Sequence, residues 1–110
     1  MRIFVTGATG FIGSHVATAL ARAGHRVLGM TRTPAKADWL AAREIEPVVA
    51  KLQEPDSYRS AAATCAVIIH AAVDYEADVF AVDRLAVETL LGIKPEMFIY
   101  TSGIWVYGST

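Results

Sequence analysis

Three glycines at three-residue intervals, Gly7, Gly10 and Gly13, stand where the apolar run "RIFVT" at 2–6 gives way to a helical pattern. A bend so poor in side chains constrains this chain more than any other feature. Gly7 is placed to take a positive-φ turn out of a strand, Gly10 to let backbone come close to a bound group, and Gly13 to let a helix lie close on a sheet. The N–H groups of the first helical turn, around Phe11 and Ile12, have no intrahelical partners and share the positive end of the helix dipole, so together they favour an anion such as a diphosphate. Three glycines alone would fit a tight turn equally well. The strand before them and the amphipathic helix after them favour the phosphate reading, and the lack of a lysine behind the last glycine excludes a Walker-type site.

The rest of the chain repeats the strand, turn, helix order. From Ile12 the residues Ile12, Val16, Ala19, Leu20 and Ala23 recur at helical spacing up to Gly24, a natural C′ residue. "HRVLGMT" at 25–31 predicts a second strand, and Thr33 with Pro34 an N-cap and first residue for a helix carrying Trp39 and Leu40. "PVVA" at 47–50 predicts a third strand, and Pro55 opens a short helix with Tyr58 and the alanines at 61–63. "AVIIH" at 66–70 is apolar on both faces, as strands of covered parallel sheets are. A longer helix follows from Asp78, with Val79, Val82, Ala86 and Leu90 inward, Arg84 and Glu88 outward, and Gly92 as its stop; "MFIY" at 97–100 predicts strand five. The expected fold class is α/β, a doubly wound parallel sheet of about five strands. Such sheets bind ligands beyond the carboxyl ends of the strands, where the strand order reverses.

Composition narrows the partners. The chain has 110 residues, 54% of them apolar and 19% charged, with a formal net charge of −1. That length suits one domain, 1–110, and the charge balance argues against disorder and against nucleic acid as a partner. The N-terminal stretch imitates a signal peptide, but its glycines and threonines interrupt the apolar segment, and no run approaches a membrane span. A soluble, cytoplasmic protein is expected, with Cys65 a buried thiol and no metal site.

The end of the second strand separates NAD from NADP. An acid there would hydrogen-bond the ribose 2′-hydroxyl, whereas this chain has Thr31 and Arg32. Arg32, with Lys36 and the Thr31 hydroxyl, suits a 2′-phosphate, so NADP is preferred over NAD.

"TGATGFIG" behind the first strand, "VIIHAA" at 67–72 and "FIYTSGIWVYG" at 98–108 resemble the extended short-chain dehydrogenase/reductase family of NAD(P)-dependent epimerases, dehydratases and reductases. The resemblance runs over nearly the whole chain and implies a Rossmann domain. It implies a cofactor-binding set of Gly7, Thr9, Gly10, Phe11, Ile12, Gly13, Thr31, Arg32, Leu52, His70, Ala71 and Ala72, with Leu52 near the adenine. Where the family commonly has an acid before that adenine contact, this chain has Lys51.

Family members transfer hydride with a Ser/Thr, a Tyr and a Lys. Ser102 is the candidate for the first, although the commonest pattern places it at Gly103, and capping the end of strand five would equally account for it. Tyr107 is not the catalytic tyrosine, because no Tyr-x-x-x-Lys follows, so the chain resembles the N-terminal portion of such an enzyme and is expected to be inactive alone. A non-catalytic NAD(P)-binding or redox-sensing module, or a truncated remnant, is the alternative. An exposed strand-five edge would then invite a homo-oligomer. His70 is expected either to line the cofactor or to be a hydrogen-bonded core histidine; His15 and His25 are expected at the surface. Asp74, Glu76 and Asp78 read as a solvated loop, Trp39 and Trp105 as packing residues. The substrate, an unknown small molecule, is not legible.

Overall fold

In the computed structural model, residues 1–72 and 78–101 are described. Five strands, β1 (Arg2–Thr6), β2 (Arg26–Thr31), β3 (Ile45–Val49), β4 (Val67–His70) and β5 (Met97–Tyr100), alternate with helices α1 (Phe11–Arg22), α2 (Ala37–Ala41), α3 (Arg59–Ala63) and α4 (Val79–Gly92). Every strand pair is parallel, and the order across the sheet is β3-β2-β1-β4-β5. The chain works outward from β1 to β3, then returns to the other side of β1 for β4. The reversal lies between β1 and β4, which pair from Ile3↔Val67 to Thr6↔His70.

Strand alternation sorts the core into two layers, because successive side chains point to opposite faces. Ile3, Val5, Val27, Val67 and Ile69 pack with Ala17 of α1 and Leu40 of α2 on one face. Phe4, Leu28 and Ile68 pack with Ala62 of α3 and Val82, Ala86 and Leu90 of α4 on the other. The sheet is thereby covered on both sides, which is why "AVIIH" shows no polar alternation. At the outer margin, Met97, Ile99 and Tyr100 of β5 remain exposed. No helix among the described residues is long and apolar enough to cross a membrane.

Several local expectations are corrected. In α1 the buried line is Gly13 and Ala17, while Ala19 and Ala23 face outward, because contact at Gly13 turns the i+4 position inward. Thr33 makes no side-chain cap; a single 3₁₀ turn, Pro34–Lys36, precedes a short α2. Pro55 likewise opens a 3₁₀ turn, Pro55–Ser57, before α3. The third strand begins at Ile45, not Pro47, and takes Pro47 into its ladder opposite Gly29. It has β2 as its one neighbour, so a residue without an N–H is tolerated at this margin. Trp39 is 38% exposed beneath the Arg43 guanidinium, and Leu40 fills the core instead.

The helix stops also divide. Gly24 takes φ 96° as expected of a C′ glycine. After α4 the left-handed residue is Lys94 at φ 58°, not Gly92, and a Cβ on Gly92 would meet nothing within 4 Å. Asp78 caps α4, its Oδ1 accepting the Ala81 N–H at 3.1 Å.

Leu90 is fully buried between α4 and the sheet. Leu90→Ala should lower unfolding free energy by about 2–5 kcal/mol in urea denaturation. A loss below about 1 kcal/mol would mean that α4 does not close this layer.

Candidate functional site

Backbone contact, more than side-chain contact, builds the β1–α1 turn. Gly7 has φ 65°, and a Cβ there would stand 2.8 Å from Ala72 Cα and 2.9 Å from Ala72 N. At Gly13 a Cβ would lie 2.0 Å from the Gly7 carbonyl oxygen, so only hydrogen fits between α1 and the turn. Gly10 differs: a Cβ would meet only the Gly7 oxygen, at 3.3 Å, a contact that a few tenths of an ångström relieves. Protein packing therefore demands glycine at 7 and 13, and scarcely at 10. Gly10 is also the N-cap of α1, with extended backbone and no side chain to occupy the first-turn N–H groups.

A further glycine, Gly29 of β2, seats the turn from below. A Cβ there would meet the Ala8 Cβ at 2.8 Å and the Ile45 Cγ2 at 2.7 Å. The turn is tied to the same strand by the Ala8 N–H, which donates to the Met30 carbonyl at 3.0 Å. In the sequence the signal for Gly29 is a glycine inside an apolar strand, which marks a close approach of another backbone or side chain.

Above the carboxyl ends of β1 and β2 opens a cavity of about 480 Å³ lined by Gly7, Thr9, Gly10, Phe11, Ile12, Met30, Thr31, Arg32, Thr33, Lys36, Leu52, Ala71 and Ala72. Its size is that of small-molecule sites. Ten of the twelve cofactor-set residues lie in this lining; Gly13 and His70 do not. Met30, Thr33 and Lys36 are lining residues outside that set. Two cations, Arg32 and Lys36, stand in the wall, and none of the described lining residues is a carboxylate. Thr31 is nearly buried; its hydroxyl accepts the Thr33 N–H at 3.2 Å and lies 3.3 Å from the Thr9 hydroxyl, so it braces the rim. Leu52 is held from behind by Tyr58, whose hydroxyl donates to the Leu52 carbonyl at 3.1 Å.

His70 takes the core position. It is fully buried, with Nδ1 2.7 Å from the Thr6 hydroxyl and Nε2 2.9 Å from Asp83 Oδ1. Burial pushes its pKa below the ordinary 6.5, while the hydrogen bond and charge of Asp83 oppose that shift. Thr6, Asp83 and Tyr100 were missed, since their grouping depends on three different elements meeting. Ser102 lies outside the described residues, as do Asp74, Glu76, Trp105 and Tyr107. His15 is exposed, its Nδ1 2.7 Å from the Phe11 carbonyl; His25 is half-buried.

Because the folded His70 binds its proton less readily than the unfolded one, it contributes stability above pH 6.5 that is lost as pH falls below that value. An NMR titration should give His70 a midpoint below 6.5, and a midpoint at or above it would contradict the burial argument.

The arrangement has counterparts in known proteins. Residues 3–92 match the family model described as the NAD dependent epimerase/dehydratase family. An uncharacterized protein of Schizosaccharomyces pombe, C2A9.02, is 39% identical over 80 residues, 73% of this chain and 27% of that protein. The 4-hydroxy-2-methyl-3-oxo-4-farnesyl-3,4-dihydroquinoline-1-oxide ketoreductase of Stigmatella aurantiaca is 32% identical over 72 residues, 66% of this chain and 22% of that enzyme. Vestitone reductase from alfalfa (Medicago sativa) superimposes with a TM-score of 0.73 at 29% identity, covering 92% of this chain and 36% of that one. The chain thus spans 27% or less of the length of these two curated relatives. With its Rossmann-type sheet, its glycine turn and a family match over residues 3–92, the chain belongs to the NAD dependent epimerase/dehydratase family.

Proposed function

We propose that this chain is the cofactor-binding portion of an NADP-dependent reductase, epimerase or dehydratase, with the dinucleotide in the cavity above β1 and β2. The observation that carries the reading is the wall itself, which offers the cations Arg32 and Lys36 beside a glycine N-cap at the start of α1. A diphosphate fits that donor set: it would sit against the N–H groups of Phe11 and Ile12, close to Gly10, where the fold leaves room and a methyl group would intrude on the ligand. Arg32 and Lys36 would hold a 2′-phosphate, Leu52 would pack on the adenine, and Ala71 and Ala72 would form the wall beyond β4. The cofactor, when bound, supplies hydride transfer; the residues described here bind and orient it. Ser102 remains the candidate for orienting substrate, and catalysis requires an acid/base pair that the 110 residues do not contain as Tyr-x-x-x-Lys. A cytosolic location accords with Cys65, the one cysteine of the 110 residues, being a buried free thiol, whose pKa burial pushes up.

Titration of the chain with NADPH and NADH tests the reading. Arg32→Asp should raise the Kd for NADPH about tenfold to a hundredfold and leave that for NADH within about threefold. Gly10→Ala should weaken both dinucleotides while keeping Tm near that of the parent chain. Equal effects of Arg32→Asp on the two would overturn the 2′-phosphate assignment, and no binding of either at millimolar concentration would overturn the site.

A further inference from the structure

Four side chains from four elements form one hydrogen-bonded chain beside the β1–β4 reversal: Thr6 of β1, His70 of β4, Asp83 of α4 and Tyr100 of β5. Its inner end reaches the cavity wall, because the Thr6 hydroxyl oxygen accepts the N–H of Ala71 at 2.9 Å and of Ala72 at 3.0 Å. A hydroxyl has two lone pairs and one hydrogen. With both lone pairs taken by backbone N–H groups, the Thr6 hydrogen goes to His70 Nδ1, 2.7 Å away. The network therefore assigns the imidazole tautomer: Nδ1 accepts, and Nε2 carries the hydrogen and donates it to Asp83 Oδ1 at 2.9 Å. The second Asp83 oxygen accepts the Tyr100 hydroxyl, and the Tyr100 ring stacks on the imidazole at 5.5 Å between centroids.

An ionised carboxylate has no hydrogen to offer, so Asp83 can hold only the Nε2–H form of His70. In the other tautomer an Nδ1–H would donate into the Thr6 oxygen and compete there with the N–H groups of Ala71 and Ala72. Asp83 is not among the described residues of the cavity lining, yet it holds the His70 ring in the arrangement that satisfies both amides through Thr6. We propose that Asp83 is a positioning residue for the cavity: by fixing the His70 tautomer it commits both Thr6 lone pairs to the Ala71–Ala72 edge. The consequence for cofactor affinity rests on the dinucleotide reading; the relay itself does not.

The test uses the isotope-labelled full chain and the variants Asp83→Asn, Thr6→Val and Thr6→Ser. Three quantities are read: the His70 ring nitrogen shifts, amide hydrogen exchange along β4 and at residues 71–72, and the Kd for NADPH. The parent chain should show an unprotonated Nδ1. Asp83→Asn, whose amide can either donate or accept, should show both tautomers. Exchange at Ala71 and Ala72 should then speed up about tenfold, with no comparable change at Ile68 and Ile69, and the NADPH Kd should rise by a similar factor. Thr6→Val should accelerate the same two amides and Thr6→Ser should restore them, which tests the edge even if Asp83→Asn does not fold. A protonated Nδ1 in the parent chain would overturn the proposal, as would unchanged exchange at Ala71 and Ala72 in a folded Asp83→Asn, or in Thr6→Val. If the parent chain binds neither NADPH nor NADH while those amides respond as expected, the dinucleotide reading fails and the relay stands.

Discussion

The seat of α1 on the β1 turn is a backbone-on-backbone contact, and the rest of the site depends on it. A Cβ at Gly13 would lie 2.0 Å from the Gly7 oxygen, closer than any side chain can come. Gly7 in turn sits against Ala72, and Gly29 leaves room for Ala8 beneath the turn. Three missing side chains thus let one helix N-terminus, the end of β4 and the middle of β2 converge. Apolar burial on the two faces holds the strands and helices together, but it is non-directional and does not by itself choose this turn for the helix N-terminus. The glycines set the distance at which the first-turn N–H groups reach the cavity.

A second constraint is polar and lies on the opposite face of the sheet. Thr6 and His70 are both fully buried at the paired ends of β1 and β4, among the apolar side chains that α4 covers. Buried polar groups cost stability unless they are paired, and each of these is. Their hydrogen bonds reach outward to Asp83 and inward to the Ala71 and Ala72 amides. The cavity wall beyond β4 is therefore fixed from behind by a polar chain, as the wall beyond β1 is fixed by glycines. Leu52 shows the same economy, held by a hydroxyl from Tyr58 in the core.

What the sequence disclosed follows from what is local in it. The glycine spacing, the apolar runs and the helical periodicities are short-range patterns, and they placed all five strands and the four helices to within a few residues. Much of the cavity lining was legible for the same reason, since Gly7, Thr9, Gly10, Phe11, Ile12, Thr31 and Arg32 lie at or just beyond the ends of β1 and β2. Failures gather where a residue's role depends on something distant in the chain. Ala19 and Ala23 fit the helical pattern of α1, but contact at Gly13 decided which face turned inward. Pro47 looked like a boundary until β3 proved to be a margin strand. Gly29, Thr6 and Asp83 matter only through neighbours from other elements, which no local pattern encodes.

The central claim is that the turn at 7–13 presents its backbone to an anionic cofactor. Amide chemical-shift mapping of the labelled chain during NADPH titration tests it most directly. The account predicts that the amides of Gly10, Phe11 and Ile12 move first and furthest, joined by those of Arg32, Ala71 and Ala72. Saturable shifts confined to other parts of the surface, with the amides of Gly10, Phe11 and Ile12 unmoved, would contradict it.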